Sequence, residues 1–104
     1  MAQHVLKTDA EVFEQSWIGN KHWEIRLNDR DYRVGDRVML DETQHTGEEM
    51  KRGAPLAFTG RAIIGTITYV LHGPQYGLVE GWVIFSLSIE DFWSDKQLTP
   101  PVQA

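Results

Sequence analysis

The chain has 104 residues, 41% of them apolar, no cysteine and a formal net charge of −5. That is enough for one domain with a small core, and it excludes disorder over most of the length, disulfides and thiol chemistry. The acidic balance also excludes a broad basic face for non-specific duplex binding, where Lys and Arg must neutralise many phosphates. No apolar run reaches the length of a membrane span, and Met1 to Lys7 lacks a signal-peptide core, so a cytoplasmic protein without a membrane partner is expected.

Val5 and Leu6 predict a short first strand within residues 1–7. Thr8-Asp9-Ala10-Glu11 reads as a capping box, the Thr8 hydroxyl accepting from the amide of Glu11 and Glu11 reaching back. The helix it opens is predicted to run to about Ile18, with Ala10, Phe13 and Trp17 as an apolar stripe and Glu14 and Gln15 towards water. Gly19 suits the left-handed position that ends a helix. Trp23, Ile25 and Leu27 then alternate with Glu24, Arg26 and Asn28, the period of a half-buried strand. The apolar set is expected to face the core, with Glu24 and Arg26 on the other face and Lys21 at the strand entry.

Asn28-Asp29-Arg30-Asp31 is a polar turn. A second strand is predicted from Arg37 to Asp41, with Val38 and Leu40 on one face. Residues 42–57 are polar, carry Gly47, Gly53 and Pro55, and read as a long mobile loop. Phe58 to Leu71 is rich in β-formers, and Gly65 in its middle marks a bulge or a barrel corner. Residues 72–77 form a loop. Trp82 to Ile89 reads as a closed-in strand and Glu90 to Trp93 as a helical turn. The domain is drawn at residues 1–92 and a flexible tail at 93–104.

Gly19-x-Lys21-x-x-Glu24-x-Arg26 matches the G-x-K-x-x-E-x-R signature of ASCH domains, a branch of the PUA-like superfamily. His4-x-Leu6-Lys7, Asn28-Asp29-Arg30-Asp31-Tyr32, Val34-Gly35-Asp36, Thr59-Gly60-Arg61, Ile67 to Leu71 and the Gly77 to Val83 run extend the likeness over roughly residues 4–89. Together they resemble a small ASCH-like family of unknown function, common in bacteria and their phages. The resemblance implies an α+β fold: a small twisted barrel, mostly antiparallel, with five or six strands and one main helix on its open side. It also places Lys7 near the cleft.

The function expected from this likeness is an RNA or modified-nucleotide binding module. Lys7, Lys21, Glu24, Arg26, Arg30 and Tyr32 would bind the ligand, Lys21 and Arg26 donating to a phosphate or base carbonyl and Glu24 accepting from a base amino group. Tyr32 and Tyr76, beside turns, are the candidate stacking rings, whereas Trp23 is expected to point inward. Some ASCH domains are amidohydrolases acting on acetylated cytidine through the signature Lys, a Thr and a downstream Glu. A hydrolase of N4-acetylcytidine is therefore the alternative, using Lys21 and Glu24, with Glu80 as the candidate downstream acid. Glu24 stands where those enzymes have Thr, and a neighbouring carboxylate opposes the lowered pKa that a lysine needs as base or nucleophile. A third reading is a non-catalytic protein-interaction module that uses the 42–57 loop; the −5 charge favours the second and third over avid RNA binding. Arg61 is read as a solvated surface side chain. His4, His22, His45 and His72 lack metal-ligand spacing, so neither metal nor cofactor is expected.

Overall fold

A computed structural model describes residues 1–94. In chain order it contains β1 (Gln3–Asp9), α1 (Ala10–Trp17), β2 (Trp23–Leu27), β3 (Arg37–Thr43), α2 (Gly47–Lys51), β4 (Phe58–His72) and β5 (Trp82–Ser94). The five strands form one mixed sheet in the order β1-β3-β4-β5-β2. β1 pairs with β3 in parallel; the other neighbours are antiparallel. The result is a small α+β half-barrel.

The curl comes from the long middle strands. β4 and β5 change register between Ile64 and Gly65 and again between Ile67 and Tyr69. Each extra residue bends the strand and sharpens its twist. Gly65 is required at the first shift, because a Cβ there would lie 2.8 Å from the Ser88 carbonyl oxygen on β5. The concave face holds the core: Leu6 from β1, Val38 and Leu40 from β3, Ile63 and Ile67 from β4, and Val83, Phe85 and Leu87 from β5. α1 covers it by burying Phe13 completely and packing Trp17 against it.

Helix α1 ends as expected, Gly19 taking φ +92°. Its start differs. Thr8 is the last inward residue of β1 and donates to the Leu6 carbonyl (3.3 Å), so it forms no capping box with Glu11. Asp9 holds the N-cap position without capping its own helix; its carboxylate accepts from the Gly47 amide of α2 (3.0 Å). The capping box is made instead by Thr46 and Glu49 (3.0 and 2.8 Å). The segment expected as a mobile loop therefore continues β3 to Thr43, turns into α2 and closes with a Gln44 amide bond to the Ala57 carbonyl (2.8 Å).

Two other boundaries move. Glu90 to Trp93 continues β5 rather than turning helical, because Ile89 to Ser94 stay paired with the start of β4. Trp93 and Ser94 thus belong to the domain, and the remainder of the expected tail lies outside the described residues. Among the described residues no helix is long and apolar enough to cross a membrane.

The largest reversal is in β2. Its alternation is as expected, but its direction is opposite. Glu24 is buried at 3% exposure, whereas Trp23, Ile25 and Leu27 are 46–50% exposed. β2 is a sheet edge that faces the other edge, β1, without pairing to it. Strand carbonyls left there need donors more than apolar cover, and the inner face of β2 supplies them.

Replacing Gly65 with Ala tests the bulge. The obstructing atom is backbone and cannot swing aside, so a loss of about 1–3 kcal/mol is expected, read as a thermal midpoint lowered by at least about 4 °C. An unchanged midpoint would show that the two strands separate freely at this point.

Candidate functional site

The site begins where α1 ends. The Asn20 and Lys21 amides both donate to the Gln15 carbonyl (2.8 and 3.1 Å), which folds the chain back towards the sheet. Lys21 enters buried at 8% exposure. Its ammonium donates to Glu24 Oε2 and lies 4.8 Å from the centre of the Trp23 ring. The other Glu24 oxygen, Oε1, accepts twice from Arg26, from Nη2 at 2.8 Å and from Nε at 3.1 Å. Arg26 then reaches across to β1. Nη1 donates to the Lys7 carbonyl and Nη2 to the Thr8 hydroxyl, each at 3.1 Å. One carboxylate thus holds two cations, leaving a positive excess at the junction of the sheet edges. Burying such a group is tolerable only because every charge has a partner.

Above this cluster opens a cleft of about 330 Å³. Trp23, Ile25, Leu27 and Trp82 form an apolar wall on the β2–β5 side. Lys7, Asp9 and Val12 form the opposite wall, and Lys21, Glu24 and Arg26 lie between. The exposed row of β2 is therefore the lining of the cleft. An apolar wall with a few converging polar groups suits a small ligand with a flat apolar part and a charged end.

Of the expected ligand residues, Lys7, Lys21, Glu24 and Arg26 meet in this cleft. Arg30 lies beyond it, donating from Nη1 to the Val5 carbonyl (3.0 Å). Tyr32 is not an open stacking ring: it is 2% exposed, edge-on to His4 and tilted against Phe85, each at 4.8 Å between centroids. Trp23 is the open ring on the cleft wall instead, because β2 turns its odd residues outward. Tyr76 is 90% exposed in the β4–β5 loop, and Glu80, exposed in the same loop, is not on the cleft wall.

Two charged pairs join residues far apart in the sequence. Arg61 is no solvated side chain. It bonds both Glu42 oxygens (2.8 and 2.9 Å) and Glu14 (3.0 Å), and its guanidinium sits 5.2 and 4.7 Å from the Phe13 and Trp17 rings. Burial pushes the Glu42 carboxyl up, but Arg61 and the Thr59 hydroxyl outweigh it and hold it below the usual carboxylate range. Arg61 is raised in turn by Glu42. His4 and Asp36 form a buried pair at 2.8 Å. Burial raises Asp36, yet bonds from His4 and from the Arg33 and Ala2 amides leave it lowered. Nothing in local spacing marked these pairs. The only sequence signal was a charged residue inside an apolar strand, Arg61.

The Glu42 and Asp36 shifts set the sign of their own share in acid sensitivity, while Asp41, raised by burial, works in the opposite sense. Glu42 and Asp36 bind protons less readily folded than unfolded, where a carboxylate titrates near pH 4. Their contribution is complete above that range and is lost as pH falls through it. Thermal stability measured between pH 6 and pH 3 should therefore decline below about pH 5. Glu42→Gln should cost about 1–3 kcal/mol at neutral pH, by weakening a buried charge-assisted bond, and should flatten that decline. A variant as acid-sensitive as the parent would remove Glu42 from the account.

No curated protein matches this chain. A family model matches residues 3–87, and the chain belongs to that family, described as a domain of unknown function (DUF3850).

Proposed function

We propose that this chain is a PUA-like module of the ASCH branch that binds a nucleotide or a short single-stranded RNA segment in the cleft beside β2. The observation that carries the reading is the Lys21–Glu24–Arg26 cluster at the foot of an open cleft with an indole on its wall. A base stacks on Trp23, whose face already carries the Lys21 ammonium on one side. Such stacking accepts any base, because every base has a π-face. Lys21, with one donor committed to Glu24, and Lys7 on the rim supply donors to the phosphate. Arg26 has fewer donors to spare, since its bonds hold the site together.

The acidic chain as a whole limits the extent of contact. With −5 overall, only the local excess of cations in the cleft attracts a polyanion, so the ligand is short. Such a module would work in the cytoplasm of a bacterium or on behalf of its phage.

The test is the affinity for a labelled single-stranded RNA tetramer, measured by fluorescence anisotropy. Trp23 is half exposed, so Trp23→Ala should fold and lose about 1–3 kcal/mol of binding. Lys7→Ala should weaken binding for all sequences alike. Two phosphate contacts predict a slope of log affinity against log salt of about −1.4, and Lys7→Ala should halve it. Affinity unaffected by both substitutions sinks the proposal.

A further inference from the structure

A second cavity, of about 200 Å³, lies in the same seam between β1 and β2. It shares Lys7, Arg26 and Leu27 with the cleft and adds Leu6, Asp29, Arg30 and Tyr32. Tyr32 decides its character. The side chain is almost wholly buried, its ring clasped by His4 and Phe85 and its amide bonded to Asn28 Oδ1 (3.0 Å). Its hydroxyl makes no hydrogen bond to any described residue. Although the residue is buried, the hydroxyl itself is not among the sealed polar atoms that lack a partner, so it reaches solvent and offers a rigidly held, uncommitted donor.

The surrounding charges say which partner. Arg30 uses only Nη1, on the Val5 carbonyl, and its remaining N–H groups are uncommitted among the described residues. The Lys7 ammonium likewise has no carboxylate partner among them. Arg26 completes the cationic wall, although its charge is shared with Glu24. The opposing carboxylate on the wall is Asp29. Three cations and a hydroxyl, set against Asp29 on the wall and Glu24 behind Arg26, leave a positive excess and make the donor set for an oxyanion.

We propose that this second cavity is an oxyanion subsite that takes a phosphate group on Arg30, Lys7 and the Tyr32 hydroxyl. Burial, with Asp29 and Glu24, raises the Tyr32 phenol more than Arg26 and Arg30 lower it, so the hydroxyl stays a donor through neutral pH. Because Lys7 and Arg26 border both cavities, the natural source is the phosphate next to a nucleotide lying in the cleft. That assignment of source rests on the nucleotide reading above. The subsite itself does not. The ligand it favours carries two phosphates in sequence, as in an RNA strand.

The experiment has two arms. In the first, the full chain is titrated with inorganic phosphate, with chloride at matched ionic strength as control, while the Arg30 Nε–H resonance is followed. A saturable shift with phosphate alone is expected, with affinity about tenfold weaker in Tyr32→Phe, which removes one charge-assisted bond and keeps the ring. A shift that does not saturate, an equal response to chloride, or an unaffected Tyr32→Phe overturns the subsite. In the second arm, adenosine 5′-monophosphate is compared with adenosine 3′,5′-bisphosphate. About tenfold tighter binding of the bisphosphate, abolished in Arg30→Gln, supports a nucleic-acid source. Equal affinity for both overturns that source and assigns free phosphate. Phosphate binding without nucleotide binding sinks the cleft reading alone; nucleotide binding through Trp23 without a phosphate response sinks the subsite alone.

Discussion

Arg26 spans the gap between the two edges of the sheet, and the rest of the site depends on that span. Its guanidinium bonds Glu24 on its own strand and Lys7 and Thr8 on β1. β1 and β2 run antiparallel across the gap, as follows from the strand order, yet share no ladder. A guanidinium is suited to this place because its donors form a rigid planar fork and its charge does not titrate away. The carboxylate that orients it also holds Lys21. Glu24 and Arg26 are thus first a closure for the half-barrel, and the cleft is a by-product of how that closure is made.

This explains what could be read from the residues and what could not. The strands were legible because alternation is a local property, and Gly19 and Gly65 were legible because a left-handed turn and a crowded bulge each select glycine within one or two residues. The gathering of Lys21, Glu24 and Arg26 was legible too, since they lie within six positions of one another at a turn entering a strand. Which face of β2 is covered was not legible. That depends on β1 lying opposite without pairing, a fact carried by residues elsewhere in the chain. Thr8 illustrates the same limit. Its spacing to Glu11 fits a capping box, but its hydroxyl serves the strand and Arg26, while an equivalent motif at Thr46 and Glu49 went unread inside a polar stretch.

Arg61 is the second long-range tie. It joins Glu42 on β3 to Glu14 on α1, partners 19 and 47 positions away, and lies against the two aromatic rings of the helix. No pattern of neighbours announces such a bond. Its effect is to fix α1 over the core, and α1 in turn delivers the Gly19–Lys21 turn. The position of the Lys21 ammonium is therefore set from both sides, by Arg61 through the helix and by Arg26 through Glu24.

The arginines at the seam also bear on how the molecule behaves at high concentration. A bare strand margin is a template on which another chain can add itself and begin an endless ribbon. Here the Val5 and Lys7 carbonyls are already taken by Arg30 and Arg26. A side chain that accepts no further partner along the backbone direction ends the pattern it completes. The incomplete barrel is thus left open to small visitors while two of the acceptors on one margin are withheld from copies of itself.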